Sequence, residues 1–278
     1  MAVKKSRSVK KKSPGKEVVS YDAARARMEG MAKDRKANER VAESNVLSAR
    51  GGEFKFSGEK LGRELDIVIL SVAKVNAYYD LPWDPDSPPP PACFAIGGNA
   101  QDEEEMTPHK SSPDKQSSEC ETCERNQWRD DGSGKDCNNR RTIAFIHADS
   151  LKNAQKVREA EIVTYSVPKT SKKNIVKHLT GIEAAMNVLP FAVVTTMSLE
   201  TLDNNTYVST LFEVRDEIKD GAILTALMDR LEEADKIAEQ PMSTQGYAEA
   251  KKAAAKPKRG KAAASNKKKA APKKKGRR

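Results

Sequence analysis

A mostly β body with a few helices, carried between two strongly basic ends, is the fold class that this 278-residue sequence predicts. Three observations carry that expectation. β-rich runs separated by Pro, Gly and Asn signals recur from Phe54 to about residue 214. One later segment instead places Ile175, Leu179, Ile182 and Met186 at helical spacing. Charge is also divided unevenly along the chain. Residues 1–16 hold seven basic and no acidic side chains and residues 251–278 hold fourteen and none, leaving 29 basic against 40 acidic in between, a net −11. The ends are polycations that attract polyanions whatever the body does, so any nucleic-acid surface on the body has to be a local patch.

In order, residues 1–20 form a Lys/Ser-rich arm too charged to fold alone. Residues 21–50 are good helix formers, with Tyr21, Ala24, Met28 and Met31 loosely at helical spacing, and Gly51 and Gly52 end that segment. A long strand is expected over Leu65 to Tyr79, with Ile67, Ile69 and Val75 on one parity. Four prolines, 88–91, then force an extended crossing. Cys93 to Gly98 and Arg140 to Ala148 read as two further strands that could pair, and 161–167 as another, after a polar helical stretch at 149–160. A helix starts at Thr170 or Ser171. A hairpin turning at D-N-N, an acidic helix over 221–240 and a Lys/Ala/Pro tail over 241–278, disordered when free, complete the chain. His147 and His178 read as structural or surface residues.

The segment from about 99 to 139 carries the chemistry. Cys120 and Cys123 have the C-x-x-C spacing that lets one tight turn aim two thiolates at the same tetrahedral ion, and Cys137 follows past a Gly-rich loop. The fourth ligand is either His109, in the same polar loop, or Cys93, in an apolar run; the shared loop favours His109. Because the segment has almost no aliphatic side chains, a structural zinc has most to add here. A loop disulfide or free thiols are the alternatives, and a disulfide is disfavoured because nothing marks the chain for export. A closed four-ligand set leaves no open position for water, so the ion is read as structural.

Several antiparallel strands, one packed helix and a metal-binding insertion between strands fit an OB-type, partly open barrel. The runs L-D-I-V-I-L-S-V-A-K-V-N-A-Y-Y-D, P-A-C-F-A-I, T-P-H-K-S-S-P-D, C-E-T-C-E-R-N-Q-W and G-K-D-C-N-N-R-R-T-I-A-F-I resemble a group of tailed-phage proteins regarded as single-stranded DNA-binding proteins. More remotely, the chain is similar to the phage helix-destabilising protein. That resemblance implies an OB-type core, one zinc on a His and three Cys, and cooperative self-association through a short basic stretch, here K-K-S-R-S at 4–8. It also implies recruitment of replication proteins such as a polymerase or helicase. Such proteins end in an acidic tail, whereas this chain ends in a basic one; the acidic helix before it is the substitute.

A protein that coats single strands needs a cationic groove and aromatic platforms. Lys74, Arg140, Arg141, Lys169, Lys172 and Lys173 are the groove candidates, with Tyr78, Tyr79, Trp83 and Trp128 as stacking candidates. The cluster Tyr78, Tyr79 and Trp83 could equally pack under the Pro-rich loop. The competing class is a histone-like DNA-compacting protein, for which the C-terminal tail would be responsible. No phosphate loop, nucleophile with a base, or carboxylate pair points to an enzyme. No apolar run approaches membrane-spanning length and no apolar leader opens the chain, so an intracellular protein without a membrane segment is expected.

Overall fold

The computed structural model describes residues 45–49, 51–84, 88–98, 103, 105–202 and 207–255. The basic arm, the 21–44 part of the expected N-terminal helix, the D-N-N turn and the tail beyond 255 lie outside the described residues. The fold is mixed α/β with a mostly antiparallel sheet, and no closed barrel forms among the described residues.

Nine strands are present among the described residues: β1 Val46–Leu47, β2 Phe54–Phe56, β3 Glu59–Gly62, β4 Glu64–Tyr78, β5 Cys93–Gly97, β6 Asn138–His147, β7 Val163–Val167, β8 Val193–Leu202 and β9 Tyr207–Glu217. Seven of them form one sheet in the order β1-β7-β6-β4-β8-β9, with β5 also on β4, while β2 and β3 form a separate hairpin. The helices are α1 Ala154–Glu159, α2 Lys172–Met186, α3 Gly221–Met228, α4 Leu231–Ala238 and α5 Tyr247–Ala255. The chain divides into two compact units, Met1–Ser71 with Ile143–Ile237, and Val72–Thr142 with Ala238–Arg278.

In the first unit, the apolar run expected to alternate is buried on both parities: Ile67, Val68, Ile69, Leu70 and Ser71 are all buried. A near-continuous apolar strand is what a sheet covered on both faces requires, and the run I-V-I-L has that composition. Val46 and Leu47, expected to be helical, instead pair parallel to Thr164 and Tyr165 of β7. Local helix propensity loses there because Leu47 is 2% exposed and gains a core position. The β2–β3 turn has positive φ at both central residues, Ser57 (48°) and Gly58 (87°), the backbone twist that suits a two-residue hairpin. Phe54 from this hairpin is fully buried with its ring edge-on to Tyr165 at 6.0 Å.

A buried polar seam joins α2 to β8 and β9. Ser171 is the residue before α2, but its hydroxyl does not cap the helix; it accepts the Thr210 backbone N–H of β9 at 2.7 Å. Asn174 donates to the Thr210 carbonyl at 2.9 Å, and His178 Nε2 lies 2.9 Å from the Thr195 hydroxyl. Ile175 and Ile182 fill the apolar side of the same face, as the spacing predicts.

The expected single acidic helix over 221–240 is two helices, α3 and α4, broken at Asp229 and Arg230. The Arg230 guanidinium donates to the carbonyls of Val157, Arg158 and Ala160 at 2.8, 2.8 and 3.0 Å, satisfying the C-terminal end of α1. Glu232, Glu233 and Asp235 of α4 face solvent, while Ala234 and Ala238 are buried.

In the second unit, β5 pairs antiparallel with the end of β4, from Lys74 opposite Gly97 to Tyr78 opposite Cys93. Residues 247–255, expected within the disordered tail, form α5. Tyr247 is 6% exposed and donates its hydroxyl to Asp80 at 2.8 Å, and Lys251 pairs with Asp80 and Asp114 at 3.1 and 2.8 Å. One buried aromatic and two carboxylates therefore order a segment whose composition alone reads as coil.

Candidate metal centre and nucleic-acid contacts

Forty residues, 98–137, cross between β5 and β6 without one Val, Leu, Ile or Phe. The described part from 105 onward is stitched to the strands. His109 N–H donates to the Phe94 carbonyl (2.7 Å), Asp114 N–H to the Ala92 carbonyl (2.9 Å) and Cys120 N–H to the Met106 carbonyl (2.9 Å). Ser112, buried, accepts from Phe94 N–H at 3.0 Å and donates to the Phe94 carbonyl at 2.9 Å. Met106 is fully buried and clusters with Ala95 and Cys120. Ordering each residue costs roughly 1–2 kcal/mol, and one Met side chain returns only ~2–3 kcal/mol by burial, so hydrogen bonds with a net worth of about 1 kcal/mol each leave the segment under-supported.

The four cysteines meet at this crossing. Cys93 opens β5, Cys120 and Cys123 precede the 3-10 turn Glu124–Asn126, and Cys137 immediately precedes β6. All four are free thiols, only 7–8% exposed, and all four line one small cavity of about 20 Å³, room for roughly one water-sized sphere. The backbone fixes three of them: Asn126 N–H donates to the Cys123 carbonyl (2.8 Å), Asn126 Nδ2 to the Cys120 carbonyl (2.8 Å), and Cys137 N–H to the Arg125 carbonyl (2.7 Å). Burial, and secondarily the charge that Cys120, Cys123 and Cys93 would carry, pushes the Cys137 thiol up to about 12. Burial likewise raises Cys120, opposed by its hydrogen bond with Asn76. Without a positive partner these two sulfurs hold their protons.

His109 stands apart from this cavity. Its ring stacks on Phe94 at 5.0 Å and its Nδ1 accepts the Ser111 N–H at 3.1 Å. The loop shared with Cys120 and Cys123 favoured His109, yet the residue that lines the cavity beside them is Cys93. The strand pairing of Tyr78 with Cys93 brings that distant thiol back to the loop. Among the described residues no three His, Cys, Asp or Glu side chains stand preassembled at metal-ligand geometry. The four cysteines would have to rearrange to grip an ion; four thiolates are a soft donor set of the kind a tetrahedral zinc takes.

Sequence reading missed the residue behind the thiols. Asn76, 4% exposed near the C-terminal end of β4, donates to the Met106 sulfur at 3.7 Å and accepts from Asn139, which also donates to Asn126 at 3.0 Å. A lone amide inside the apolar run A-K-V-N-A was the available signal. Asn76→Ala is expected to cost ~1–3 kcal/mol, because the Asn139 amide and the Cys120 thiol each lose a buried partner. Chemical denaturation of the variant checks this.

The nucleic-acid candidates divide between the units. Lys169, Lys172 and Lys173 belong to the first, in the 3-10 turn Lys169–Ser171 and the first turn of α2. The rest belong to the second. Trp83 is 66% and Trp128 69% exposed. Tyr78 and Tyr79 are half-buried, and the Arg125 guanidinium lies 5.2 Å from the Tyr78 ring centre. Lys74 is half-buried, and Arg140 is half-buried with Nη2 3.7 Å from the Met242 sulfur. Arg141 is 8% exposed and ion-paired with Glu103, so its charge is neutralised inside the fold and it leaves the groove candidates. Trp128 borders an open depression lined by Glu124, Asp130, Asp131 and Asp136 as well as Arg125 and Arg129. Hydrogen bonds from Arg129, and then from Arg125, hold the Asp136 carboxyl below the usual range. That rim repels phosphates, which leaves Trp83 as the stronger platform. No helix among the described residues is long and apolar enough to cross a membrane. Compared with protein-family models, with curated proteins and with solved structures, the chain shows no match.

Proposed function

We propose that the chain binds and coats single-stranded DNA, in the manner of the tailed-phage proteins that its cysteine segment resembles, and acts by binding rather than catalysis in replication, recombination or repair. The observation that carries this reading is Trp83, two-thirds exposed, five residues beyond the half-buried Tyr78 at the exit of β4. A ring of that size left in water on a chain with 5% aromatic residues is a stacking surface awaiting a partner. Tyr79 beside the same strand end and Lys74 on it supply further contacts, Lys169, Lys172 and Lys173 are separate phosphate-contact candidates of the first unit, and the basic ends add sequence-independent attraction.

An OB-type core is part of the same proposal, and the pairing of the long strand β4 is what supports it. β4 pairs with β8 over Glu64 to Ile67 and with β5 over Lys74 to Tyr78, and a long strand shared between partners is what such a barrel needs. The solvent-facing carboxylates of α4 are the surface for replication proteins, and K-K-S-R-S at 4–8 for self-association.

The test is competition between single- and double-stranded oligonucleotides at several salt concentrations, using the full chain. Trp83→Ala is expected to weaken single-strand affinity by ~1–3 kcal/mol, about 5- to 150-fold, with duplex affinity unchanged. Equal affinity for both forms, insensitive to Trp83→Ala and abolished by removing residues 256–278, would instead identify a DNA-compacting protein.

A further inference from the structure

We propose that Cys93, Cys120, Cys123 and Cys137 together hold one zinc-class divalent cation as four thiolates, with His109 outside the ligand set. The inference stands independently of nucleic-acid binding. Four observations converge on it. The four cysteines line the same small cavity, and each residue is at most 8% exposed. They come from separated points of the chain, a strand start, a tight turn with C-x-x-C spacing and the residue before another strand, so one ion would tie the loop to both β5 and β6. The loop they close has no aliphatic core of its own. The ring of His109 is engaged elsewhere, flat on Phe94 with Nδ1 accepting from the backbone.

The reading of the same cavity as four ordinary buried thiols explains their burial but not their convergence beneath a segment without apolar side chains. Pairwise disulfides would need an oxidant and would join sulfurs that are free in the structure. Metal binding needs none: four S–H protons leave as four metal–sulfur bonds form, and the site carries a net charge of −2.

The full chain should be purified with its metal, assayed for zinc per chain, and then exchanged with cobalt(II). The expected result is one ion per chain, with the intense visible bands of tetrahedral cobalt and a sulfur-to-cobalt charge-transfer intensity matching four thiolates. Cys93→Ser should lower that intensity by one quarter or release the ion to a chelator, whereas His109→Gln should retain both the ion and the spectrum. Because a cysteine variant can fail to fold, the wild-type charge-transfer intensity and the His109→Gln variant decide the matter by themselves. A spectrum of three thiolates with loss of the ion in His109→Gln overturns the proposal in favour of a three-cysteine, one-histidine site. A chain that takes up no metal and yields four freely titrating thiols on unfolding overturns it altogether.

Discussion

Tyr165→Ala is expected to lower the unfolding free energy by ~3–5 kcal/mol, the range for deleting a large aromatic ring from a packed core. Tyr165 is 2% exposed at the middle of β7, meets Phe54 edge-on at 6.0 Å, and shares a 2.7 Å hydrogen bond between its hydroxyl and that of Thr210. It therefore joins the β2–β3 hairpin and the polar seam under α2 through one side chain. Burial pushes its hydroxyl up to about 12, so the group stays neutral and able to donate across the working pH range. Tyr165→Phe separates the contributions: it keeps the ring and loses one buried hydrogen bond, for ~1 kcal/mol. Urea unfolding of both variants at matched slope checks the pair, and a cost for Tyr165→Ala below that of Tyr165→Phe would remove this residue from the core.

The second large effect is a loss of stability with acid. His178 on α2 is 8% exposed, sits against Phe212 with ring centres 6.0 Å apart, and bonds the Thr195 hydroxyl. Burial lowers its pKa from 6.5 to about 4. The unfolded chain thus takes up a proton near pH 6.5 that the folded chain refuses until about pH 4, so stability is fully present above 6.5 and falls as pH drops through that window. The shift corresponds to about 3 kcal/mol. His147, whose pKa is also lowered by burial, adds to the loss in the same direction, opposed by Asp149 and Glu161. Thermal melts between pH 7 and pH 4 should show a steep fall in wild type and a shallower one in His178→Gln. Equal slopes would mean that the imidazole is not held neutral by the fold.

Neither residue advertised itself in the sequence in the same way. Tyr165 lies in the run I-V-T-Y-S-V, whose alternation marks Val163, Tyr165 and Val167 as one face, and all three are buried. His178 carries no such mark, because a lone histidine on a helix reads as a surface residue until the strand bearing Thr195 is placed beneath it. The same limit applies to Ser171. Its hydroxyl has the chemistry of a helix cap, but the unpaired N–H of Thr210 on β9 took it.

The sequence by itself determined the positions of the long strand β4, of β5 to β9 and of α2, since hydrophobic period and turn residues are local signals. It also determined that the 98–137 crossing has no core and that three of its cysteines stand at metal-binding spacing. Only the tertiary structure put Cys93 on the same small cavity as those three. The pairing of Tyr78 with Cys93 is a non-local hydrogen-bond register, and no property of P-A-C-F-A-I alone carries it. It likewise decided that α5 docks through Tyr247 and Lys251, that Arg141 spends its charge on Glu103, and that Val46 and Leu47 are strand. In each of these, a partner far along the chain supplies more free energy than the local preference it overrides.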